Sequence, residues 1–300
     1  MADAAAVAKP FRCGHVAIVG RPNVGKSTLL NHLVGTKVSI TSKKAQTTRH
    51  RVTGILTTPA AQFVFVDTPG FQTRHRSRLN DRLNRVVTQS FSGIDAIVLV
   101  VEAGRTTEAD RAVIHLLPRD ARVVVAQNKI DMLADKDALL PQMAELAGLF
   151  PFAAIVPVSA EKERALDRLQ GALSELLPEG PAIFEDDEIT DRDERFLAAE
   201  FIREKIFRLL GEEVPYATTV GIDSFQLEEG VRRIRATVYV DRDNQRAILI
   251  GEGGQQMKAI ASRARTDMER LFGGPVFLEV WVRVKRGWAD DDAQLKRFGY

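Results

Sequence analysis

The octet Gly-Arg-Pro-Asn-Val-Gly-Lys-Ser at residues 20–27 constrains the fold of this chain more than any other feature. An apolar run at residues 15–19 precedes it and predicts a buried strand, and residues 28–34 follow it with the pattern of a helix. In this setting the pattern G-x-x-x-x-G-K-[ST] is typical of a phosphate-binding loop, because its backbone N–H groups and the N-terminus of the next helix attract phosphate. We predict that Lys26 reaches the β- and γ-phosphates of a nucleotide and that the Ser27 hydroxyl faces Mg²⁺.

A second motif, Asp-Thr-Pro-Gly at residues 67–70, ends the apolar run at residues 63–66. The carboxyl ends of parallel strands form the ligand-binding edge of an open sheet, so this motif is predicted to lie beside the phosphate-binding loop. A carboxylate at a strand end can hold Mg²⁺ through water, and a glycine N–H can contact the γ-phosphate. These are the roles that we assign to Asp67 and Gly70.

The sequence Asn-Lys-Ile-Asp at residues 128–131, after the apolar run at residues 123–126, predicts which base is bound. The carboxylate of Asp131 can accept hydrogen bonds from guanine N1–H and from the guanine 2-amino group. Adenine has neither donor and would leave this carboxylate desolvated and unpaired, which is unfavourable. The motif therefore favours guanine over adenine.

The neighbours of Asp131 and a fourth motif complete the predicted base site. Asn128 can brace the loop and approach guanine N7, and the stem of Lys129 can lie on the base plane. Ser159 and Ala160 end another apolar run, where a small residue lets a backbone N–H reach guanine O6. The predicted nucleotide-binding residues are Gly20, Arg21, Pro22, Asn23, Val24, Gly25, Lys26, Ser27, Thr28, Asp67, Thr68, Pro69, Gly70, Asn128, Lys129, Asp131, Ser159 and Ala160.

The composition is that of a soluble globular protein, with 45% hydrophobic and 27% charged residues in a chain of 300. This length allows one large domain and a smaller one. Cys13 is the only cysteine, which excludes an internal disulfide framework and suits a reducing cytosol, and we interpret it as a packing residue. No apolar stretch approaches the roughly 18 residues that span a bilayer. Residues 1–10 lack the basic start of a signal peptide and are predicted to be a disordered tail.

Charge is distributed unevenly along the chain, although the formal net charge is only +2. No acidic residue occurs between Asp3 and Asp67, while several basic residues do. This suits a region that faces a triphosphate. A generally basic surface is the alternative for Lys37, Lys43 and Lys44, and the sequence leaves both interpretations open.

Patterns of strands and helices alternate up to residue 178, which predicts a mostly parallel sheet with helices on both faces. Residues 51–57 and 62–67 are the exception, since they predict a hairpin and hence one antiparallel edge strand. A Pro-Glu-Gly-Pro break and the acidic stretch Glu-Asp-Asp-Glu then predict a solvated linker. We divide the chain into a tail at residues 1–10, an α/β nucleotide-binding domain at 11–178, a linker at 179–190 and an α+β domain at 191–300.

The second domain is predicted to have the element order α-β-β-α-α-β. Its first helix is expected to be capped by Thr190, with Asp193 as a weaker partner, and to end at Gly211. The other elements are predicted as strands at residues 216–226 and 231–240, helices at 244–250 and 255–271, and a last strand that starts at residue 276.

The sequence Gly-Glu-Gly-Gly at residues 251–254 separates two of these helices, and together with the element order it resembles a KH domain of type II topology. The resemblance implies binding of single-stranded RNA, and the glycines let a nucleic acid backbone press against the loop. Residues 246–286 hold 8 Lys+Arg against 4 Asp+Glu, although the whole domain is acidic. The predicted RNA contacts are Gly251, Glu252, Gly253, Gly254 and Lys258.

Three aromatic residues near the C-terminus have two possible roles. Phe277, Trp281 and Trp288 could stack on bases or fill the core of the second domain. For Trp281 we favour the core.

From about His15 to Tyr300 the chain resembles the Era family of bacterial GTPases. The resemblance rests on residues 20–31, on Ala-Gln-Thr-Thr-Arg-His-Arg at 45–51, on Ile-Thr-Asp-Arg at 189–192 and on Gly-Trp-Ala-Asp-Asp at 287–291. It implies a GTP-hydrolysing factor in 30S ribosomal subunit assembly whose KH domain binds the 3′ end of 16S rRNA, with no DNA partner. It also implies a cytoplasmic protein loosely associated with the inner face of the membrane, a property that nothing in the composition shows.

The same resemblance assigns roles around the γ-phosphate. Thr48 matches the family's switch threonine, which reaches Mg²⁺ only when the γ-phosphate is present, and Thr47 is the alternative. Phe71 stands where Ras-like proteins have a glutamine that orients water, so we expect slow hydrolysis. Related GTPases with Asn at the position of Asn23 hold K⁺ beside the phosphates. The candidate catalytic residues are Lys26, Thr48, Gly70 and Asn23, the metal ligands are Ser27, Thr48 and Asp67, and the expected switch segments are residues 37–50 and 70–80.

Other functions remain open at this point. The second domain could dock a protein or membrane partner instead of RNA. The chain could be an RNA-binding module with a vestigial nucleotide site, which the intact Lys26, Ser27, Asp67 and Asp131 oppose. It could also be an ATPase or a kinase with the same loop, which the motif at residues 128–131 opposes.

Overall fold

The structure is a computed structural model, and it describes residues 10–44, 47–71, 84, 87, 91–211 and 213–298. Several predictions of the sequence fall partly outside the described residues. They concern the tail at residues 1–9, Ala45 and Gln46 of the family motif, residues 72–80 of the second switch, and the C-terminal Tyr300.

The N-terminal domain is built on a six-stranded sheet with the order β2-β3-β1-β4-β5-β6. Strand β2 is antiparallel to β3, and the other neighbouring pairs are parallel. The predicted mostly parallel sheet with one antiparallel edge strand is therefore confirmed. The strands are β1 (Arg12–Val19), β2 (Val52–Thr57), β3 (Ala61–Asp67), β4 (Ala96–Glu102), β5 (Val123–Asn128) and β6 (Ala154–Pro157).

Helices cover both faces of this sheet. They are α1 (Lys26–Val34), α2 (Glu108–Ile114), α3 (Leu139–Ala147) and α4 (Leu166–Ser174). The apolar sides of α1 and α4 share a core with one face of the strands, and those of α2 and α3 share a core with the other face. Because both faces are buried, the strands are apolar along nearly their whole length.

The C-terminal domain has the predicted element order, with two short helices added, one before its first strand and one after its last. Its elements are α5 (Glu194–Leu209), α6 (Glu213–Tyr216), β7 (Thr218–Glu228), β8 (Val231–Val240), α7 (Asp243–Ile250), α8 (Gln255–Phe272), β9 (Val276–Val284) and α9 (Asp292–Arg297). Strand β8 lies between antiparallel β7 and parallel β9. Helices α5 and α8 pack together on one face of this sheet. Among the described residues, no helix combines the length and apolar character of a membrane span.

Two local predictions about this domain are wrong. The N-cap of α5 is Asp193, whose carboxylate accepts the backbone N–H of Phe196 at 2.7 Å. Thr190 does not cap the helix, because its hydroxyl donates to the carbonyl of Thr53 on β2 at 2.6 Å. Strand β7 begins at Thr218 and not at Tyr216, because residues 213–216 form α6.

Residues 185–188 of the linker are acidic and exposed, but both ends of the linker are bonded to the hairpin of the first domain. The side-chain oxygen of Gln62 accepts the backbone N–H groups of Ile183 and Phe184 at 2.7 and 3.0 Å. Further along, the N–H of Ile55 on edge strand β2 donates to the carbonyl of Ile189 at 2.9 Å. The linker therefore covers part of the edge of the sheet.

The two tryptophans lie in opposite environments. Trp288 is 1% exposed, and its indole N–H donates to the carbonyl of Ala217 at 2.9 Å. Trp281 is 61% exposed and Phe277 is 48% exposed, so the favoured core position of Trp281 is wrong. The reason is the alternation of β9, which turns its valines toward the helices and both aromatic residues toward the opposite face.

We predict that Trp288→Ala lowers the free energy of unfolding by about 3 kcal/mol, because it empties a buried site and removes the bond to Ala217. Denaturant unfolding followed by circular dichroism measures this loss. Trp281→Ala is the matched control and should change the free energy by less than about 0.5 kcal/mol, because this indole is exposed. Equal losses in the two variants would contradict the assignment.

Candidate nucleotide-binding site and nucleic-acid interface

The phosphate-binding loop connects the end of β1 to the start of α1. Gly25 has φ 102° and stands at the N-cap of α1, a backbone conformation that favours glycine. The buried ammonium of Lys26 donates to the carbonyls of Gly20 and Arg21, each at 3.0 Å. Burial lowers the pKa of Lys26 to about 8, and the nearby carboxylate of Asp67 opposes this shift. The loop thus holds a desolvated cation at the N-terminus of α1, an arrangement suited to an anion.

The carboxylate of Asp67 lies at the centre of a group of hydroxyls. One of its oxygens accepts the hydroxyl of Ser27 at 2.6 Å, that of Ser39 at 2.8 Å and that of Thr48 at 3.4 Å. The hydroxyls of Ser27 and Thr48 are 2.9 Å apart. Burial raises the pKa of Asp67, and the hydroxyls and Lys26 oppose the rise. The predicted metal ligands Ser27, Thr48 and Asp67 therefore lie together.

The other oxygen of Asp67 tests whether these residues fit Mg²⁺. This oxygen is buried and has no hydrogen-bond partner among the described residues. Those residues also contain no cluster of three or more His, Cys, Asp or Glu side chains suited to a metal. Mg²⁺ in nucleotide sites takes few protein ligands and completes its shell with phosphates and water. One carboxylate with a free buried oxygen and two hydroxyls match this ligand set.

Gly70 brings the start of the second predicted switch onto the phosphate-binding loop. A Cβ atom at Gly70 would lie 2.9 Å from the Cα of Pro22, so only glycine fits this close approach. The hydroxyl of Thr68 donates to the carbonyl of Ile18 at 2.8 Å and fixes the same segment on β1. The ring of Phe71 is half-buried and packs against the core beneath α2 and α3.

Asn128 connects the base-binding loops to the phosphate-binding loop. Its amide nitrogen donates to the carbonyl of Val24 at 2.8 Å, and its oxygen accepts the N–H of Ala160 at 2.9 Å. Asp131 is exposed and accepts the hydroxyl of Ser159. Lys129 adopts a left-handed conformation with φ 68°, and its ammonium lies 3.7 Å from Glu102. The predicted base residues thus converge beside the phosphate-binding loop.

An open cleft joins this loop to the first switch segment, which we define as residues 37–49. Asn23 lies exposed in the cleft wall in a left-handed conformation with φ 64°. The lining residues are Pro22, Asn23, Gly25, Lys26, Ser27, Thr28, Ile40, Thr41, Ser42, Lys44, Thr47, Thr48 and Gly70.

Sequence reasoning missed Ser39 and Asn31. The side chain of Asn31 accepts the N–H groups of Val38 and Ser39 at 3.0 and 2.9 Å and donates to the carbonyl of Ser39 at 2.7 Å. It thereby presents the Ser39 hydroxyl to Asp67. Asn31 belongs to the motif at residues 20–31 and could have been found there, whereas a serine in a loop carries no such signal.

The basic residues of the first switch segment mostly face the C-terminal domain. Lys37 binds the carboxylates of Glu204 and Asp267 at 2.5 and 2.6 Å. The guanidinium of Arg49 is buried and donates to the carbonyls of Pro215, Tyr216 and Thr218 at 3.1, 3.1 and 2.8 Å. The expectation that this region faces a triphosphate is therefore wrong for Lys37 and Arg49. Lys44 lines the cleft, but its ammonium donates to carbonyls at the end of α5, and Lys43 is exposed.

The loop at residues 251–254, which we call the GEGG loop, lies at the surface between α7 and α8. Gly251, Gly253 and Gly254 all have positive φ, at 72°, 56° and 78°. Glu252, Gly253 and Lys258 are exposed. An exposed backbone next to a lysine can approach a phosphodiester chain closely, although Glu252 reduces the positive charge at the tip.

Comparisons with known proteins match both domains. A family model described as a 50S ribosome-binding GTPase matches residues 15–129, and a KH-domain model matches residues 213–289. The chain is 57% identical to GTPase Era of Nitrosomonas eutropha, over 98% of this chain and 99% of that protein. It is 55% identical to GTPase Era of Neisseria meningitidis, over 96% and 95% of the two chains.

Two solved structures resemble the whole chain. A variant of Aquifex aeolicus Era bound to GDP and AlF4⁻ is 40% identical with a TM-score of 0.93, over 97% of this chain and 99% of that chain. Era in complex with MgGDPNP and nucleotides 1506–1542 of 16S ribosomal RNA is 40% identical with a TM-score of 0.92, over the same shares.

We predict that Asp131→Asn weakens GTP binding by about 100-fold or more and strengthens binding of xanthosine triphosphate, because the donor and acceptor pattern of the side chain inverts. Competition binding with the two nucleotides measures the preference. Asp137→Asn removes a nearby exposed carboxylate and should leave the preference unchanged. Retained preference for GTP in Asp131→Asn would show that this carboxylate does not read the base.

Proposed function

This chain belongs to the Era family of GTPases, and on that premise we propose that it is a GTP-driven switch that binds the 3′ end of 16S rRNA and acts in 30S subunit assembly. It hydrolyses GTP and carries a C-terminal KH domain. The RNA partner is supported by the similar Era structure, which contains nucleotides 1506–1542 of 16S ribosomal RNA. It is also supported by the exposed GEGG loop and the adjacent Lys258 of this chain.

One observation carries the switch proposal. The first switch segment is bonded to the nucleotide site and to the KH domain at the same time. Its hydroxyls at Ser39 and Thr48 donate to Asp67, while Lys37 and Arg49 bind the KH domain. Whatever changes the position of this segment at the metal site must therefore change its contacts with the KH domain.

The residues of the cleft account for how hydrolysis is assisted. Mg²⁺, when held by Ser27, Thr48 and Asp67 (through water), supplies positive charge to the phosphate oxygens. The ammonium of Lys26 stabilises negative charge that develops on the β–γ bridge and the γ-phosphate. The N–H of Gly70 would contact the γ-phosphate, a role that is supported by the close approach of its segment to Pro22. The half-buried ring of Phe71 packs against the core and has no polar group to orient water, so hydrolysis by the protein alone should be slow.

The proposed location is the cytoplasm, with peripheral association with the inner face of the membrane. A reducing compartment is supported by the single cysteine, Cys13, which is buried and free. The membrane association rests on the family resemblance. The alternative, a KH domain that docks protein or membrane in place of RNA, is an outcome of the RNA experiment below.

We predict that the protein binds a single-stranded fragment of the 16S 3′ end with different affinity in GDPNP and in GDP, because the first switch segment joins the nucleotide to the KH domain. Fluorescence anisotropy at saturating nucleotide measures both affinities.

Lys258→Ala should weaken RNA binding and reduce the slope of log affinity against log salt by about 0.7, the loss of one phosphate contact. Lys136→Ala, an exposed lysine of the N-terminal domain, is the control.

The outcomes of this experiment separate the two proposals. Equal affinities in the two nucleotides would refute the switch. No binding to the RNA in either nucleotide would refute the RNA partner and favour a docking role.

We also propose that K⁺ bound near Asn23 accelerates hydrolysis, because the exposed amide stands at the cleft where a monovalent cation would lie beside the phosphates. We predict turnover at least about tenfold faster in K⁺ than in Na⁺ at matched ionic strength, equivalent to about 1.4 kcal/mol of activation free energy. Asn23→Gly removes the amide while tolerating φ 64°, so it should abolish this difference without unfolding the loop. Equal turnover of the unmodified protein in the two salts would exclude the proposed role of K⁺.

A further inference from the structure

Lys44 caps the end of a helix that belongs to the other domain. Its side chain lines the nucleotide cleft, and its ammonium donates to the carbonyls of Phe207 at 2.7 Å, of Gly211 at 3.2 Å and of Leu210. Carbonyls at the C-terminus of a helix have no partner within the helix, and a cation there also interacts favourably with the helix dipole. The last turn of α5 is therefore completed by a side chain from the first switch segment.

The same turn of α5 also holds the residue on which the GEGG loop rests. The side-chain amide of Gln256 donates to the carbonyl of Leu209 at 3.2 Å. A Cβ atom at Gly251 would lie 2.6 Å from the Cβ of Gln256, so the backbone of the loop packs directly on this side chain. The position of Gln256 thus limits where the GEGG loop can lie.

We propose that Lys44 and Gln256 are the positioning residues that transmit the nucleotide state to the GEGG loop, through the last turn of α5. This inference rests on the proposed switch. When the first switch segment moves away from Asp67, Lys44 leaves the carbonyls of residues 207–211. The turn then loses its cap, and the carbonyl of Leu209 no longer fixes Gln256 and the loop beside it.

The neighbouring basic residues of the segment hold other parts of the KH domain. Lys37 binds Glu204 and Asp267, in the middle of α5 and α8, and Arg49 binds carbonyls at the start of β7. Lys43 is exposed, and its side chain makes no hydrogen bond or ion pair within the described part of the chain. Lys43 and Lys44 therefore form a matched pair, adjacent in sequence and equal in charge but different in contact.

The test compares the RNA affinity of the full chain in saturating GDPNP and in saturating GDP, using a single-stranded fragment of the 16S 3′ end as the probe. The ratio of the two dissociation constants is the coupling, about 5–150-fold for typical linked sites. We expect Lys44→Met to bring the ratio to within about twofold of one, Gln256→Ala to lower it as well, and Lys43→Met to leave it unchanged. The double variant Lys44→Met with Gln256→Ala should lose no more coupling than Lys44→Met, since both residues act on one turn.

Each other outcome overturns the inference. A ratio of one in the unmodified protein removes both the switch and this inference. A ratio that survives in Lys44→Met, while the unmodified protein is coupled, removes the inference and leaves the switch intact. If Lys44→Met and Gln256→Ala lower the RNA affinity by the same factor in GDPNP and in GDP, the two residues have a structural role only. As an independent readout, RNA must change the affinity for GDPNP relative to GDP by the same ratio, and Lys44→Met must abolish that effect too.

Discussion

A single buried carboxylate, that of Asp67, organises the nucleotide site. Burial disfavours its charge, and the hydroxyls that stabilise the charge come from the helix after the phosphate-binding loop and from the first switch segment. These two parts of the chain are separate segments, and they are held at one point because the carboxylate needs donors from both. Its second oxygen has no hydrogen-bond partner among the described residues and is therefore available to a cation. The need to compensate the charge of Asp67 thus explains both the cluster of hydroxyls around it and its suitability for Mg²⁺.

A second set of buried charges joins the two domains. Burial alone would raise the pKa of the buried Glu204, but the ammonium groups of Lys37 and Lys205 outweigh burial and hold this pKa below the ordinary range. The carboxylate also accepts the backbone N–H of Thr41 at 3.0 Å. Taking Lys37 and Thr41 away would leave this buried carboxylate with Lys205 and Arg208 as its remaining cationic partners, which is unfavourable. The interface therefore favours a first switch segment that is either fully bound to Glu204 or fully released, and disfavours intermediate positions.

Short motifs and the periodicity of apolar residues predicted most of the fold and the presence of a nucleotide site. The motifs of the nucleotide site could be found because each ends an apolar run, and parallel strands bring such ends together. The sequence could not show that the side chain of Lys37 faces the KH domain, because its carboxylate partners lie in helices far along the chain. The core position that we favoured for Trp281 is wrong. The alternation along β9 puts Trp281 on the face opposite the valines, and this pattern is better evidence than the size of the side chain. The boundaries of the domains and the roles of individual site residues stay predictions.

The linker has a consequence for how the two domains can separate. Its ends are bonded to the hairpin of the first domain at Gln62 and Ile55, and the KH domain begins only a few residues further on. If the contacts of the first switch segment were released, the KH domain would remain tethered at an effective concentration on the order of millimolar. Its motion is then a pivot about a fixed hinge, and re-docking after each cycle is an intramolecular event that does not depend on the concentration of protein in the cell.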